Sequence, residues 1–510
     1  MKKNTLLIFS LLLFYLYPAF ASVEVRSNKL TTGDGLANNS IRYMSQDSKG
    51  FIWLGTLNGL SYYDGNSFVN IYPDIHNPLS LADSRIRSIE EDPNGFLWIS
   101  TMSSFISCYD LRHGRFVDFT GCNEYRENYS KFFITSDNSV WLWHNQNGCR
   151  RIVYQDGKFS SQTYKKELGN LPSDRVQFVL ESAKGEVWIG TRKGLLKYRN
   201  GQTDNLDPQS QSWEHIIAYD QYTCIITDKN EIYRHTYSTD KLEKVGSLAA
   251  SFDDNNRVTG NFLLADKWVL FTANGSYLLD IPTGKLSRYS DLNIKNGAVT
   301  KDNKKNVWVH NYTGHLWYVN VTTGNIKPFQ FLSSEHIGYI DVERYSIVHD
   351  SRDIIWITTY GNGLYAYELA TGDLQHFTFD IGQSSHINSN YLQYVMEDRS
   401  GGIWVSSEFS GLSHLEKGTQ RLHPSGENSS DRSNTIRMLF QNRNGNIYMA
   451  NRMGSLYEYD PGLTKTIRRE DFTHNVYSMN EDSEGNLWLG MRGTGLRIGA
   501  DKWYKNNSKD

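Results

Sequence analysis

Cysteine is scarce in this chain: four residues in 510, Cys108, Cys122, Cys149 and Cys224, all in the first half and none in a CxxC pair. No histidine is spaced to complete a ligand set with them, so a zinc site has no support. Charge of one sign is also lacking. Fifty-three Lys and Arg stand against 56 Asp and Glu, a formal net charge of −3, which leaves no basic footprint for nucleic acid. Beyond the N-terminus no run is apolar enough to span a bilayer. No GxSxG, HExxH or Walker sequence is present, and no cofactor fingerprint. His144, His310, His349 and His386 fall at unrelated places in the repeat described below, so no acid/base set recurs with it. A pair of carboxylates that meets only in space, as glycoside hydrolysis requires, is not excluded by sequence. Proline is rare as well, 10 residues against 41 glycines, as expected where tight turns needing positive φ recur.

The N-terminus reads as a processing segment. Lys2 and Lys3 precede an apolar run from Leu6 to Tyr17, and Ala19-Phe20-Ala21 supplies the small-x-small pattern of a signal peptidase site. The run is shorter than the roughly 20 residues a spanning helix needs. Residues 1–21 are therefore expected to be a signal peptide removed after Ala21, with no cysteine following for lipid attachment. Export permits a disulfide such as Cys122 with Cys149; buried free thiols are the other reading.

What the chain does have is a repeat. Residues 40–65, SIRYMSQDSKGFIWLGTLNGLSYYDG, contain three strand-like pieces separated by turn signals, and SFVNIY (67–72) can supply a fourth. Weaker copies follow almost to the C-terminus, each with a tryptophan three places after a turn glycine or its substitute: Trp53, Trp98, Trp141, Trp188, Trp308, Trp356, Trp404 and Trp488. Tyr233 or Tyr448 takes that place in two more copies, and a degenerate one lies near Trp268 to Tyr277, which makes eleven. Spacings near 45–48 residues between successive tryptophans suit four-stranded propeller blades of roughly 40 to 50 residues. A tryptophan on the second strand of every blade, among Ile, Leu and Val, is expected to pack one sheet on the next rather than to stack on sugar. The Asp that opens most first turns needs no calcium to explain it, because its side chain can bond its own backbone.

The opening LTTGDGLANNSI (30–41), with DSKGFIWLGT and NGLSYYDG, resembles the start of the periplasmic sensor region of the hybrid two-component regulators of Bacteroidetes. ESAKGEVWIGTRKGLLKY, EDRSGGIWVSS and EDSEGNLWLGMRGTGL resemble the two-component-regulator propeller repeat of the same family. The resemblance weakens around residues 205–290. It implies two seven-bladed propellers, then a small sandwich domain, a membrane helix, a kinase and a DNA-binding output, with an oligosaccharide as the usual stimulus. On that pattern the expected fold is all-β: a seven-bladed β-propeller over 22–330 and an incomplete second propeller of about four blades over 331–510. The four-blade arc is expected to be the less stable part. Nothing after Tyr504 resembles a kinase, so a membrane-bound kinase partner, or the remainder of the receptor, is implied for signalling.

Ligand contacts are expected on the face that carries the longer connections between blades, such as 73–84, 160–174 and 378–390, since variable loops on a rigid scaffold are where binding residues lie. Turn residues there that depart from the Gly/Asn norm are His144, Arg192, Tyr312, Tyr360, Phe409, Arg452 and Arg492. A second slot, five places before the turn acid, holds Arg42, Arg87, Gln177, Tyr345, Gln393, Arg437 and Tyr477. Arginines and tyrosines at a channel mouth suit hydroxyls or carboxylates of a sugar; solvated loop chemistry is the other reading for any one of them. The function expected is oligosaccharide sensing in the periplasm without catalytic output. A secreted polysaccharide lyase or hydrolase, and a nonfunctional fragment, are the alternatives.

Overall fold

The computed structural model describes residues 25–120, 128–182, 184–199, 201–207, 211–248, 257–289, 292, 294–295, 297–311, 315–329, 346–380, 385–417, 436–461, 466–499 and 502–505. Among them are eleven four-stranded antiparallel sheets and no α-helix, with short 3-10 turns at Thr32–Asp34 and Lys166–Leu168. We number the sheets as blades in chain order: 41–71, 86–116, 131–164, 176–205, 213–247, 260–288, 298–329, 347–377, 392–417, 436–471 and 476–504. The chain divides into two units, residues 1–416 and 417–510.

Blade 1 shows why the sequence folds this way. Its strands Ile41–Gln46, Ile52–Thr56, Leu60–Tyr63 and Phe68–Ile71 pair in order. Asp47 in the first turn accepts the amides of Lys49 and Phe51 on one carboxylate oxygen and Trp53 Nε1 on the other, at 2.8 Å. A single acid thus fixes the turn and orients the core indole. The same bond recurs six residues apart in Asp92–Trp98, Asp302–Trp308, Asp350–Trp356, Asp398–Trp404 and Asp482–Trp488. Blades 3 and 4 carry Thr135 and Ser182 in place of the acid, and there the indole N–H of Trp141 and Trp188 is buried without a hydrogen-bond partner.

The tryptophans are the mortar of the first unit. Trp53 packs on Ile86 and Ile89 of blade 2, Trp356 on Leu392 and Val395 of blade 9, and each is at most 1 % exposed. Nine apolar clusters join the nine successive sheets of this unit, the last uniting Met396, Trp404 and Leu412 of blade 9 with Ile41, Met44 and Leu54 of blade 1. The sheets therefore form a closed ring. Its closure is a strand exchange: Val25–Leu30 pairs with Leu412–Lys417 and completes blade 9. A turn contact seals the same seam. Gly59, Gly148 and Gly363 donate their amides to carbonyls just before the next blade, those of Ser84, Asp174 and Asn390, and Gly411 donates likewise to Asn39.

This corrects the expected partition. Eleven blades are present among the described residues, but the ring does not close near residue 330 as a seven-bladed propeller. It continues through nine blades to residue 417, one more than the roughly four to eight usual for propellers, and the second unit holds two described blades rather than four. Local pattern marks each blade, whereas closure depends on which outer strand the N-terminal segment pairs with, a contact across almost 400 residues. Blade 5 is also displaced from its expected frame. Tyr233 lies on its third strand, Glu231–Thr236, and the turn before it joins the second and third strands, not the first and second. The span 160–174 is strand up to Tyr164 and a connection only beyond it. The signal peptide expected at 1–21 lies outside the described residues.

Candidate functional site

The inner strand of a propeller blade lines the channel, and here it is repeatedly broken at its first turn of pairing. The register shifts between Ile41 and Tyr43, Ile86 and Ser88, Val176 and Phe178, Trp213 and His215, and Leu392 and Tyr394. One residue at each site has no cross-strand partner: Arg42, Arg87, Gln177, Glu214 and Gln393. A β-bulge releases its side chain from the alternation of the pleat and re-aims it, which is why bulges gather near binding sites. Four of these five residues occupy the slot five places before the turn residue; Glu214, in the shifted blade 5, is the one that slot missed.

A second set stands beside them. The residue following the second strand donates its amide to the carbonyl just before the inner strand: Leu57 to Ser40, Met102 to Arg85, Arg192 to Arg175 and Glu408 to Tyr391. Each such side chain is held next to the bulge at the same end of the channel. Arg192 and Phe409, the latter 68 % exposed, face solvent there. Tyr360 bridges to Tyr391, with ring centroids 5.2 Å apart. His144 closes the second strand of blade 3, half-buried, and burial pushes its imidazole below the ordinary range. Tyr312 and Tyr345 lie outside the described residues.

At the seam between blades 9 and 1 the two sets meet. The Arg42 guanidinium lies 3.0 Å from Glu408 and 3.4 Å from Gln393 Oε1, and Gln393 donates to the other oxygen of Glu408. The carboxylate is nearly buried, its side chain 8 % exposed, and so needs this pairing. Arg87 is exposed. Below the mouth Tyr43 and Tyr394 pack with centroids 5.3 Å apart, and burial pushes both phenols up. Sequence reading missed Glu408; its signal was an acid in the slot that holds Arg192 in blade 4, opposite an arginine on the adjoining blade.

The second unit repeats the arrangement by itself. Bulges fall at Arg437 and Tyr477, and the Arg437 guanidinium sits 3.8 Å from the centre of the Tyr477 ring. Arg452 and Arg492 are exposed in the turns after the second strands, Arg492 donating its amide to Asn475. The candidate residues thus fall into two groups, one on each unit. A polar cavity of about 210 Å³ also lies between blades 10 and 11, lined in part by Glu458, Glu470, Asn486 and Arg497, with Arg497 bonded to Glu470 at 2.6 Å.

Among the described residues no group of three His, Cys, Asp or Glu side chains is placed to hold a metal, and no helix is long and apolar enough to cross a membrane. Cys108, Cys149 and Cys224 are buried free thiols, pushed up by burial. Cys122, the other member of the pair that export would permit, lies outside the described residues.

Three segments, 35–58, 80–103 and 472–493, match the family described as "Two component regulator propeller". Each contains a bulge residue, the turn acid and the core tryptophan of one blade. The chain carries two component regulator propeller repeats. No curated protein matches it. Among solved structures, it is similar at 18 % identity to the extracellular domain assigned to hybrid two component system BT3049 from B. thetaiotaomicron, covering 95 % of this chain and 74 % of that one with a TM-score of 0.35. It is similar at 17 % identity to that of BT4673 from the same organism, over 95 % and 67 % of the two chains with a TM-score of 0.36. A third similarity, at 12 % identity over 77 % and 95 %, is to the Dos1 propeller, with a TM-score of 0.43.

Proposed function

We propose that this chain is the ligand-sensing part of a two-component system, working in the periplasm after removal of residues 1–21, and that its ligand is an oligosaccharide. The observation that carries this reading is the bulged inner-strand position. Bulges in five blades of the ring take Arg42, Arg87, Gln177, Glu214 and Gln393 out of cross-strand pairing, and we read these five as a collar of hydrogen-bonding side chains on a rigid ring. Such a collar suits hydroxyls, with Arg87 and Arg192 available to a carboxylate or sulfate substituent. No output chemistry is assigned to the chain, so a signal would pass to a membrane-bound kinase, as a separate partner or in the remainder of a longer receptor.

The test is one purified sample of the chain, free of its signal peptide, assayed on an oligosaccharide array and for turnover of every binder. Binding without product, weakened by Arg87→Ala, supports the reading. Release of product would favour the polysaccharide-cleaving alternative, and absence of any binder would remove the oligosaccharide assignment.

A further inference from the structure

The cavity inside the second unit carries chemistry that the bulge residues do not use. It lies between blades 10 and 11, holds about 210 Å³ and is lined by residues of that unit alone. Its origin is a change in the repeat. Trp404 of blade 9 has the ring of its cross-strand neighbour His414 stacked on it at 3.8 Å, whereas blade 10 has the smaller ring of Tyr448 in that place, with Glu458 as its neighbour. The seam is left unfilled there, with Tyr448, Leu456, Leu487 and Leu489 as a largely hydrocarbon wall.

The polar atoms that remain open at this cavity are acceptors. Glu458 takes Asn446 Nδ2 on Oε1 at 2.9 Å, and its Oε2 has no hydrogen-bond or ion-pair partner among the described residues. Asn486 donates Nδ2 to Asp482 at 3.1 Å, which fixes its amide and leaves Oδ1, on the side of Gly499, without a partner among the described residues. The guanidinium at the cavity is already committed. Arg497 has a side chain only 5 % exposed, is bonded to Glu470 at 2.6 Å and lies over the rings of Phe472 and Trp503. A half-buried carboxylate with an unmet charge calls for a cationic partner.

We propose that this cavity binds a small organic ammonium, its N–H donors on Glu458 and Asn486 and its hydrocarbon body against the leucines. A neutral or anionic ligand of the same shape leaves Glu458 unmatched. The volume is below the roughly 300–1,000 Å³ of sites for drug-sized ligands, so the occupant is a molecule of a few carbons rather than a chain of sugars. The site uses none of the bulge residues, and it stands whether or not the collar binds an oligosaccharide.

The experiment uses the full chain and three probes of one shape, isopentylammonium, isopentanol and isovalerate. Each is titrated to about 50 mM at constant ionic strength by ligand-observed NMR, a range suited to fragment-sized ligands. The ammonium is expected to bind at least tenfold more tightly than the alcohol or the carboxylate. Glu458→Gln should weaken it at least tenfold, and Leu487→Phe, which fills the cavity, should abolish it. Circular dichroism checks the fold of each variant, and where one does not fold the other decides. Wild type that fails to bind the ammonium overturns the proposal. So does equal binding of the alcohol, or ammonium binding indifferent to the substitutions.

Discussion

The amide of Gly411 donates to the carbonyl of Asn39 at 2.9 Å, joining the last blade of the ring to the segment that leads into its first. It is the same contact that Gly59, Gly148 and Gly363 make within the ring, so the seam between blades 9 and 1 has the geometry of any other. Gly411 adopts φ +81°, and a Cβ there would meet the Leu30 carbonyl oxygen at 2.4 Å, on the very strand that closes the ring. Gly411→Ala should therefore cost at least about 1 kcal/mol more than Gly65→Ala, since Gly65 has positive φ but open space around it. Urea unfolding of both variants measures the difference, and equal losses would show that the seam does not hold the ring.

Asp398 accepts Trp404 Nε1 at 2.7 Å and the amides of Ser400 and Gly402 at 2.8 and 2.9 Å. Asp398→Ala leaves these donors unmet and should destabilise the first unit by about 1–3 kcal/mol. In blade 4 the converse applies. Ser182→Asp gives the orphaned indole N–H of Trp188 an acceptor and should raise the melting temperature. Calorimetry on the two variants reads both signs; a fall with Ser182→Asp would mean that nearby Glu186 decides the local charge balance.

Stability should fall in mild acid through a buried histidine. Burial pushes His310 down to about 4, against about 6.5 for an unfolded histidine. A group with a depressed folded value contributes its full stability above the unfolded value and loses it as pH falls toward the folded one. Between pH 7.5 and 5 the loss should be about 2 kcal/mol. His215 and His235, also lowered by burial, act in the same direction. Urea midpoints at the two pH values should shift less in His310→Gln than in wild type; an unchanged shift would remove His310 as a cause.

Arg42 and Arg87 occupy equivalent bulges but different surroundings, and their variants should separate. Arg42→Ala strips Glu408 of its ion pair and should lower both ligand affinity and stability, the latter by about 1 kcal/mol for a half-buried pair. Arg87 is exposed, and Arg87→Ala should weaken binding several-fold while leaving the melting temperature unchanged. Titration calorimetry beside thermal melts distinguishes them. Equal effects on both quantities would mean that the bulge slot is structural.

Blade number and blade chemistry were legible in the sequence, because each blade is written locally. A turn acid, a glycine and a tryptophan within ten residues suffice to build a hairpin, and in most blades the acid and the indole bond to each other directly. Where those signals fade, as in blade 5, the frame slipped by one strand and Glu214 escaped notice. The slot five places before the acid was visible as a column of long polar residues, but that it is a bulge follows only from the pairing of the inner strand with its neighbour. Ring size was decided by tertiary structure alone. Every blade offers nearly the same two faces, so any number of them satisfies local preference. The count is set by where Val25–Leu30 finds an open outer strand beside Leu412–Lys417 and by the register that lets Gly411 reach Asn39.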